Sequence, residues 1–314
     1  MKRLRVVVSL ITQENDYQIE QAAAAEEAGN RLGIDVEVLF ADSDSILQSQ
    51  QVLKFVQAEA KARPDAIILE PVGGTALPQV ARASVSAGIA WVLLNREVGY
   101  IRELRQMAKA PAFGVASDNL EIGRIQGRQF AALLPKGGSV LYIQGPSETD
   151  ACKLRTLGMY ETRAANTQVK TMKGNWTEAS AFKAITAWLR LATSQHTQFD
   201  LVAAQNDAMA VGAKKAFQQF SYEGESRDRW LSLPFVGCDG VAKTGQAWVR
   251  SGLLTATVIA PPLAGTALEM VTRALQSGIT QPEMTLIAPR SLPTIESLTA
   301  PGAQGSRSAA ASRP

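Results

Sequence analysis

Five apolar segments of the chain end in side chains that carry a charge or an amide. These end residues are Glu70, Asn95 with Arg96, Asp118, Asn206 with Asp207, and Asp239. Carboxylate, amide and guanidinium groups are planar, and each offers hydrogen-bonding atoms side by side to a partner with two neighbouring polar groups. Asp also favours the position before a helix, so we assign Asp118 and Asp207 to helix capping. Arg96 is not a capping residue, and its alternative role is a surface ion pair with Glu97 or Glu103.

The elements that carry these residues alternate along the chain. Apolar segments predict strands at 5–11, 34–40, 65–71, 90–98, 111–118, 138–145, 168–174, 199–207, 232–240 and 254–262. Helical spacing predicts helices at 16–33, 44–62, 76–88, 119–134, 151–165, 178–192, 208–220 and 263–278, with a short one ending at Arg250. Alternating units of this kind predict an α/β fold with parallel sheets covered by helices on both faces. Ligands bind outside the carboxyl ends of such strands, so the strand-end residues can form a site.

Composition narrows the class of protein. The 314 residues suffice for two domains, and 46% hydrophobic against 19% charged residues predicts globular folding. The net charge of +3 comes from scattered basic residues, which argues against nucleic acid as a partner. No apolar stretch reaches about 20 residues, so membrane insertion is not expected. Residues 300–314 are small, polar and rich in Ala and Ser, and they predict a disordered tail.

Motifs for catalysis and cofactors are missing from the sequence. The segment "EPVGGTA" could hold a phosphate, but it matches neither the P-loop nor the dinucleotide pattern. There is no G-x-S-x-G elbow, and the single histidine, His196, fits a solvated loop better than a general base. Cys152 and Cys238 have no metal-binding spacing, and both a disulfide and two free thiols remain open. We therefore expect no enzyme activity, no catalytic residue, no cofactor and no metal.

Several stretches, taken in order, resemble one known family. They are "TQENDYQIEQAAAAEEAGNRLG", "RPDAIILEPVGGTALPQVARASVSAGIAWVLLNRE", "FGVASDNLEIGRIQGRQFA", "GPSETDACKLRTLGMYE", "AQNDAMAVGAKKAF", "PFVGCDG" and "LTATVIAPPLAGTAL". Their order and spacing are similar to those of type I periplasmic binding proteins of the ribose/galactose-binding group. That group shares its fold with the effector domain of lactose-repressor-like regulators. The resemblance covers about residues 4–297.

The resemblance implies two Rossmann-like lobes joined by three crossover strands, with a solute held in the cleft between them. The N-terminal lobe would comprise residues 1–116 and 261–285, and the C-terminal lobe residues 117–258 and 286–298. Binding would proceed by hinge closure, because ligand contacts on both lobes stabilise the closed state.

The resemblance also implies a set of ligand-binding residues. By their match to the family's motifs these are Asn15, Tyr17, Arg96, Arg155, Trp176, Asn206 and Asp239. A sugar presents paired hydroxyls to planar polar groups and a C–H face to an aromatic ring, which suits this set. Core packing is the alternative for Tyr17 and Trp176.

Three positions depart from the ribose-binding pattern. Glu70 and Asn95 stand where the ribose binder has an amide and the family usually has an Asp, and both remain ligand-binding candidates. Ala260 stands where the ribose binder has a hinge Gln. Because a site matched to one set of hydroxyls rejects analogues that leave its polar groups unpaired, ribose itself is doubtful. Another monosaccharide, an amino sugar or a polyol remains open.

Two binding roles remain. One is a solute receptor of the cell envelope or periplasm that delivers sugar to the permease of an ABC transporter. The other is a cytoplasmic sugar sensor without a DNA-binding module, since the sequence begins in a strand and shows no clear signal peptide. The likeness to the ribose-binding group favours the receptor.

Overall fold

The computed structural model describes residues 3–73, 77–195, 197–219 and 225–299. The chain divides into two compact units: unit 1 is Met1–Ser117 with Pro262–Ile287, and unit 2 is Asp118–Pro261 with Ala288–Pro314. The chain therefore crosses between the units three times. His196, the predicted tail at 300–314 and residues 74–76 of the glycine-containing loop lie outside the described residues.

Unit 1 contains alternating strands and helices. In chain order they are β1 (Arg5–Leu10), α1 (Asp16–Leu32), β2 (Asp35–Phe40), α2 (Ser45–Gln57), β3 (Ala66–Leu69), α3 (Pro78–Ser86), β4 (Ala90–Leu94), α4 (Tyr100–Gln106) and β5 (Ala112–Ser117), and later α12 (Ala264–Ser277) and β11 (Met284–Ile287). The described strands form one parallel sheet in the order β11-β5-β4-β3-β1-β2.

Helices cover both faces of this sheet. Successive side chains of a strand point to opposite faces, so Val6 and Val8 of β1 pack in one core cluster and Val7 in another. The first cluster includes residues of α1 and α12, and the second includes residues of α2, α3 and α4. Burial on both faces explains why β3 and β4 are apolar along their whole length and why β5 is apolar up to its last residue, the buried Ser117.

Unit 2 repeats the pattern. Its described elements are α5 (Asn119–Leu133), β6 (Gly138–Gln144), α6 (Asp150–Thr162), β7 (Thr167–Lys173), α7 (Glu178–Leu189), α8 (Ala192–Gln195), β8 (Leu201–Ala204), α9 (Asp207–Gln219), α10 (Glu225–Ser232), β9 (Phe235–Val236), α11 (Gly245–Arg250), β10 (Thr257–Ile259), β12 (Arg290–Leu292) and α13 (Ile295–Thr299). Parallel strands pair in the order β7-β6-β8-β9, and parallel bridges from Val236 to Ala256 and from Asp239 to Ile259 continue the pairing towards β10. The chain is thus an α/β protein with parallel sheets in two lobes.

Several elements differ from the sequence prediction. Helices α4, α8, α10 and α13 and strands β11 and β12 were not predicted, and β10 pairs with β12 antiparallel. Strand β4 ends at Leu94 because the next residue, Asn95, has a φ of 53°, which turns the chain out of the sheet. Cys152 and Cys238 are both buried free thiols. Among the described residues, no helix is long and apolar enough to cross a membrane.

Candidate functional site

The carboxyl edge of the unit 1 sheet carries Glu70 after β3 and Asn95 and Arg96 after β4. Strands β3 and β4 are parallel neighbours, with Leu69 beside Leu93, so the residues that follow them meet at one edge. Asn15 and Tyr17 lie at the start of α1, which follows β1. The structure brings Glu70 together with Asn95, which donates a hydrogen bond to it, and with Arg96, whose charge acts on it. Their role in ligand binding stays a prediction.

Glu70 is buried at this edge, with 7% of its surface exposed. Its Oε1 accepts a hydrogen bond from the Asn95 amide at 3.0 Å, and its Oε2 accepts one from the Gln21 amide at 3.4 Å. Burial raises the pKa of Glu70, while hydrogen bonds from Asn95 and Gln18 and the charge of Arg96 oppose that rise. The carboxylate is held by amides inside the unit.

Asn95 links this carboxylate to the backbone. Its Oδ1 accepts a hydrogen bond from the backbone N–H of Ser117 at 3.3 Å, while its amide group donates to Glu70. The next residue, Arg96, donates to the carbonyl of Gly73 at 2.9 Å, in the loop after β3. Glu103, one of the two predicted ion-pair partners of Arg96, instead binds Arg82 at 2.7 Å.

Asn15 caps helix α1. Its Oδ1 accepts from the backbone N–H groups of Tyr17 and Gln18 at 2.9 and 3.3 Å, as Asn does at many helix starts. Tyr17 is half-buried in the first turn of the same helix. The oxygen of Asn15 is therefore occupied by the helix, and a role in ligand binding for Asn15 and Tyr17 stays a prediction.

Buried glutamines support the unit 1 edge, and sequence reasoning missed them. Gln48 donates to the carbonyl of Glu70 at 2.9 Å and accepts from the backbone N–H of Val72 at 2.8 Å, which fixes the chain after β3. Gln18 accepts from the backbone N–H of Ile11 at 3.0 Å, which ties α1 to the end of β1. The sequence offered one signal for these glutamines: each lies on the apolar face of a helix that covers a parallel sheet, where a polar side chain needs a buried partner.

In unit 2, Arg155 on α6 is the centre of the polar edge. Its Nε donates to Asn119 Oδ1 at 3.0 Å, and one terminal nitrogen donates to the carbonyl of Gln205 and lies 3.5 Å from Asp239 Oδ1. Its guanidinium lies 5.6 Å from the ring centroid of Trp176, a cation–π distance. The side chains of Arg155 and Asp239 are 10% and 15% exposed. Arg155 is thus a largely buried cation with several partners.

Close packing of α5 and α6 positions Arg155. A Cβ added to Gly123 on α5 would lie 2.1 Å from the backbone oxygen of Arg155, and one added to Gly158 on α6 would lie 2.0 Å from the oxygen of Leu120. These glycines let the helix backbones approach, so that Asn119 at the start of α5 reaches the guanidinium.

Trp176 and Asn206 belong to the same group. The Trp176 ring packs on Gly145, where an added Cβ would lie 2.2 Å from Cζ2, and it also packs against the unit 2 core. Asn206 donates its amide to the Trp176 carbonyl at 2.8 Å. Trp176 has a φ of 61° and a half-buried ring. The packing alternative is confirmed, and a role of Trp176 in ligand binding stays a prediction.

The capping prediction is correct for Asp118 and wrong for Asp207. Asp118 caps α5 by accepting from the N–H of Glu121 at 2.9 Å. For α9 the capping oxygen belongs to Asn206, which accepts from the N–H of Met209 at 2.9 Å. Asp207 was predicted as the cap and points into the unit instead, because its carboxylate is the partner of two buried donors.

Those donors connect Asp207 to the site. Its Oδ2 accepts from the backbone N–H of Gly240 at 2.8 Å, and its Oδ1 accepts from the Thr257 hydroxyl at 2.7 Å. Burial, aided by the charge of Asp239, raises the pKa of Asp207 well above its usual range, against the opposing effects of Thr257, Gly240 and Arg155. Because Gly240 follows Asp239, whose φ is 97°, Asp207 holds the backbone that presents Asp239.

The two edges carry different sets of hydrogen-bonding groups. Each carries an arginine, unit 1 adds the Asn95 amide, and unit 2 adds the Asp239 carboxylate and the Trp176 ring. Guanidinium groups only donate hydrogen bonds and carboxylates only accept them, whereas hydroxyls do both. Among the described residues, no cluster of His, Cys, Asp and Glu is arranged to hold a metal ion.

Comparisons with known proteins agree with the fold. A sequence model of the periplasmic binding protein domain matches residues 6–279. A putative rhizopine-binding protein of Rhizobium meliloti is 31% identical over 191 residues, which are 59% of this chain and 58% of that protein. The D-apiose import binding protein of Paraburkholderia graminis is 27% identical over 90% of this chain and 85% of its own.

Solved structures extend the likeness to the whole fold. A periplasmic solute binding protein of an ABC transporter from Actinobacillus succinogenes, solved with bound D-allose, superimposes with a TM-score of 0.78 at 21% identity. The superposition covers 94% of this chain and 99% of that one.

Proposed function

The chain belongs to the periplasmic binding protein family, and we propose that it is the sugar-binding component of a carbohydrate ABC importer. The matched relatives are binding proteins, and one that matches 90% of this chain is an import binding protein. This favours the receptor role over a cytoplasmic sensor. The proposal includes a periplasmic or cell-envelope location and a membrane permease as the partner that accepts the ligand.

One observation supports the proposal most directly: Arg155, Trp176, Asn206 and Asp239 come together at one sheet edge. They lie far apart in sequence, yet hydrogen bonds, an ion pair and a cation–π contact connect them. Protein cores do not need such a group, because burying a charge without functional reason lowers stability. Its place at the carboxyl ends of parallel strands is where ligands bind in open α/β sheets.

The proposed ligand is a neutral monosaccharide or polyol bound by both edges. Arg155 and Asp239 of unit 2 would bind one pair of hydroxyls, and Asn95 and Arg96 of unit 1 another. The Trp176 ring would pack on the C–H face of the ligand. Contacts from both units would favour a closed state, in which hinge motion brings the edges onto the ligand.

A thermal-shift screen followed by small-angle X-ray scattering tests this function. The panel contains D-apiose, D-allose, D-ribose, myo-inositol, xylitol, an amino sugar and a nucleoside. A ligand that binds only the native state stabilises it by about 2.7 kcal/mol at a hundredfold excess over Kd. We expect one sugar or polyol to raise the melting temperature and to reduce the radius of gyration. If no compound in the panel shifts either quantity, the sugar-binding function is wrong.

A further inference from the structure

A series of buried and partly buried hydrogen bonds in unit 1 runs from the polar edge to two of the three crossings. Ser117, the last residue before the first crossing, donates its backbone N–H to Asn95 Oδ1. Leu263 and Ala264, just after the second crossing, donate their backbone N–H groups to Gln21 Oε1 at 2.7 and 2.8 Å. Asn95 and Gln21 in turn both donate to Glu70, which is therefore the centre of the series.

The orientation of both amides is fixed by the backbone. The oxygen of Asn95 must face the N–H of Ser117, and the oxygen of Gln21 must face two backbone N–H groups, so neither amide can turn over without opposing donors. Each amide therefore presents its NH2 group inwards to the same place. The Glu70 carboxylate satisfies both, because each of its two oxygens accepts from one of the amides.

We propose that Glu70 is a positioning residue, not a ligand contact, which connects the binding edge of unit 1 to the two crossings through Asn95 and Gln21. Its two oxygens each accept a hydrogen bond from inside the unit, and its side chain is buried. Ser117 is hydrogen-bonded to the Asn95 side chain, and Arg96 is the next residue. A shift of the backbone at Ser117 would therefore move Asn95 and, with it, Arg96. The link to ligand binding rests on the proposed function, whereas the link to the crossings does not.

An exchange of the carboxylate and the amide between Glu70 and Asn95 tests this hydrogen-bond connection. In Glu70→Gln the introduced NH2 group faces the NH2 group of either Asn95 or Gln21, so one of these two donors loses its acceptor. Asn95→Asp alone places two carboxylates against each other. The double variant restores the pairings with Ser117 and Gln21: the introduced carboxylate accepts from Ser117 and from the introduced amide, whose oxygen accepts from Gln21. Glu103→Gln removes an exposed carboxylate of the same unit and is the matched control.

Amide hydrogen exchange of the ligand-free protein, resolved by NMR, tests the connection. A buried donor without an acceptor destabilises the closed local structure enough to raise the opening equilibrium about tenfold or more. We therefore expect Glu70→Gln to speed exchange at Ser117, Leu263 and Ala264 by about tenfold. Exchange at Ile68 in the sheet centre should change less. The double variant should return to wild-type rates, and Glu103→Gln should not depart from them. Equal rates in Glu70→Gln and Glu103→Gln would overturn the proposal.

Calorimetry with the sugar or polyol found in the screen tests the binding role. Glu70→Gln should weaken binding by about tenfold, because Asn95 and Arg96 then lose the support that positions them. The double variant is left out of this measurement, because it changes Asn95, which is itself a proposed ligand contact. If Glu70→Gln lowers the affinity while exchange at Ser117, Leu263 and Ala264 stays at the wild-type rate, Glu70 contacts the ligand and the proposed role is wrong. If the wild-type protein binds no panel compound, the proposed function fails, while the exchange rates still decide the connection to the crossings.

Discussion

The two polar edges of this protein are built in opposite ways. In unit 2 a largely buried arginine is neutralised directly by Asp239 and held by Asn119, Gln205 and the Trp176 ring. In unit 1 a buried carboxylate is held by amides, and Arg96 reaches a loop carbonyl. The unit 2 edge is preformed by charge pairing, whereas the unit 1 edge is organised by hydrogen bonds that extend to the crossings.

This difference predicts that unit 2 depends most on its arginine for stability. Arg155→Ala removes a largely buried ion pair with Asp239 and the hydrogen bonds to Asn119 and Gln205. Breaking a buried pair costs about 3–5 kcal/mol, so we expect a loss of this order in the free energy of unfolding, measured with urea. The control Arg124→Ala removes an exposed ion pair with Glu161 and should cost no more than about 1 kcal/mol. Similar losses in both variants would contradict a preformed unit 2 edge.

A smaller effect follows from the tight seat of the Trp176 ring. Gly145→Ala adds a Cβ that would lie 2.2 Å from Cζ2, so the ring must move away from its place beside Arg155. We expect overpacking to cost about 1–3 kcal/mol and tryptophan fluorescence to change. The control is Gly99→Ala, which adds a Cβ in open space at a residue without a positive φ. If the emission spectrum of Gly145→Ala stays as unchanged as that of Gly99→Ala, the Trp176 ring is not held against Gly145.

Each edge has a buried carboxyl group, Glu70 in unit 1 and Asp207 in unit 2, and both make the free energy of unfolding depend on pH. The pKa values of Asp207 and Glu70 are both raised, so the folded protein keeps protons that the unfolded chain has already lost. The resulting stabilisation is present below the unfolded pKa of about 4 and is lost as pH rises towards the folded values. Asp207→Asn and Glu70→Gln should each flatten this fall in urea titrations, Asp207→Asn more so because its pKa is raised further. A steeper fall in Asp207→Asn would contradict the raised value.

The smallest effect on stability belongs to the arginine of unit 1. Arg96→Ala loses a hydrogen bond to Gly73 and a charge near Glu70, and we expect the free energy of unfolding to fall by about 1 kcal/mol. Ligand affinity should nevertheless fall strongly, which separates a binding role from a structural one. A stability loss as large as that of Arg155→Ala would remove the contrast between the two edges.

The sequence was sufficient for the alternation of strands and helices and for the grouping of Glu70 with Asn95, because fully apolar segments and their polar ends are local signals. It was insufficient for the glutamine network. In a sequence Gln21 and Gln48 resemble ordinary polar helix residues, and only three-dimensional packing shows that they satisfy buried backbone groups. Asp207 was misassigned for a related reason, since a cap and a buried carboxylate at a helix start have the same local pattern.

The central claim is that both edges bind one sugar or polyol. Isothermal titration calorimetry of Arg96→Ala and Asp239→Ala, one variant from each unit, tests it most directly with the compound found in the screen and Glu103→Gln as the control. The account predicts a loss of affinity of at least about a hundredfold in both variants and none in the control, since each removes charged hydrogen bonds to the ligand. Unchanged affinity in both variants would contradict it.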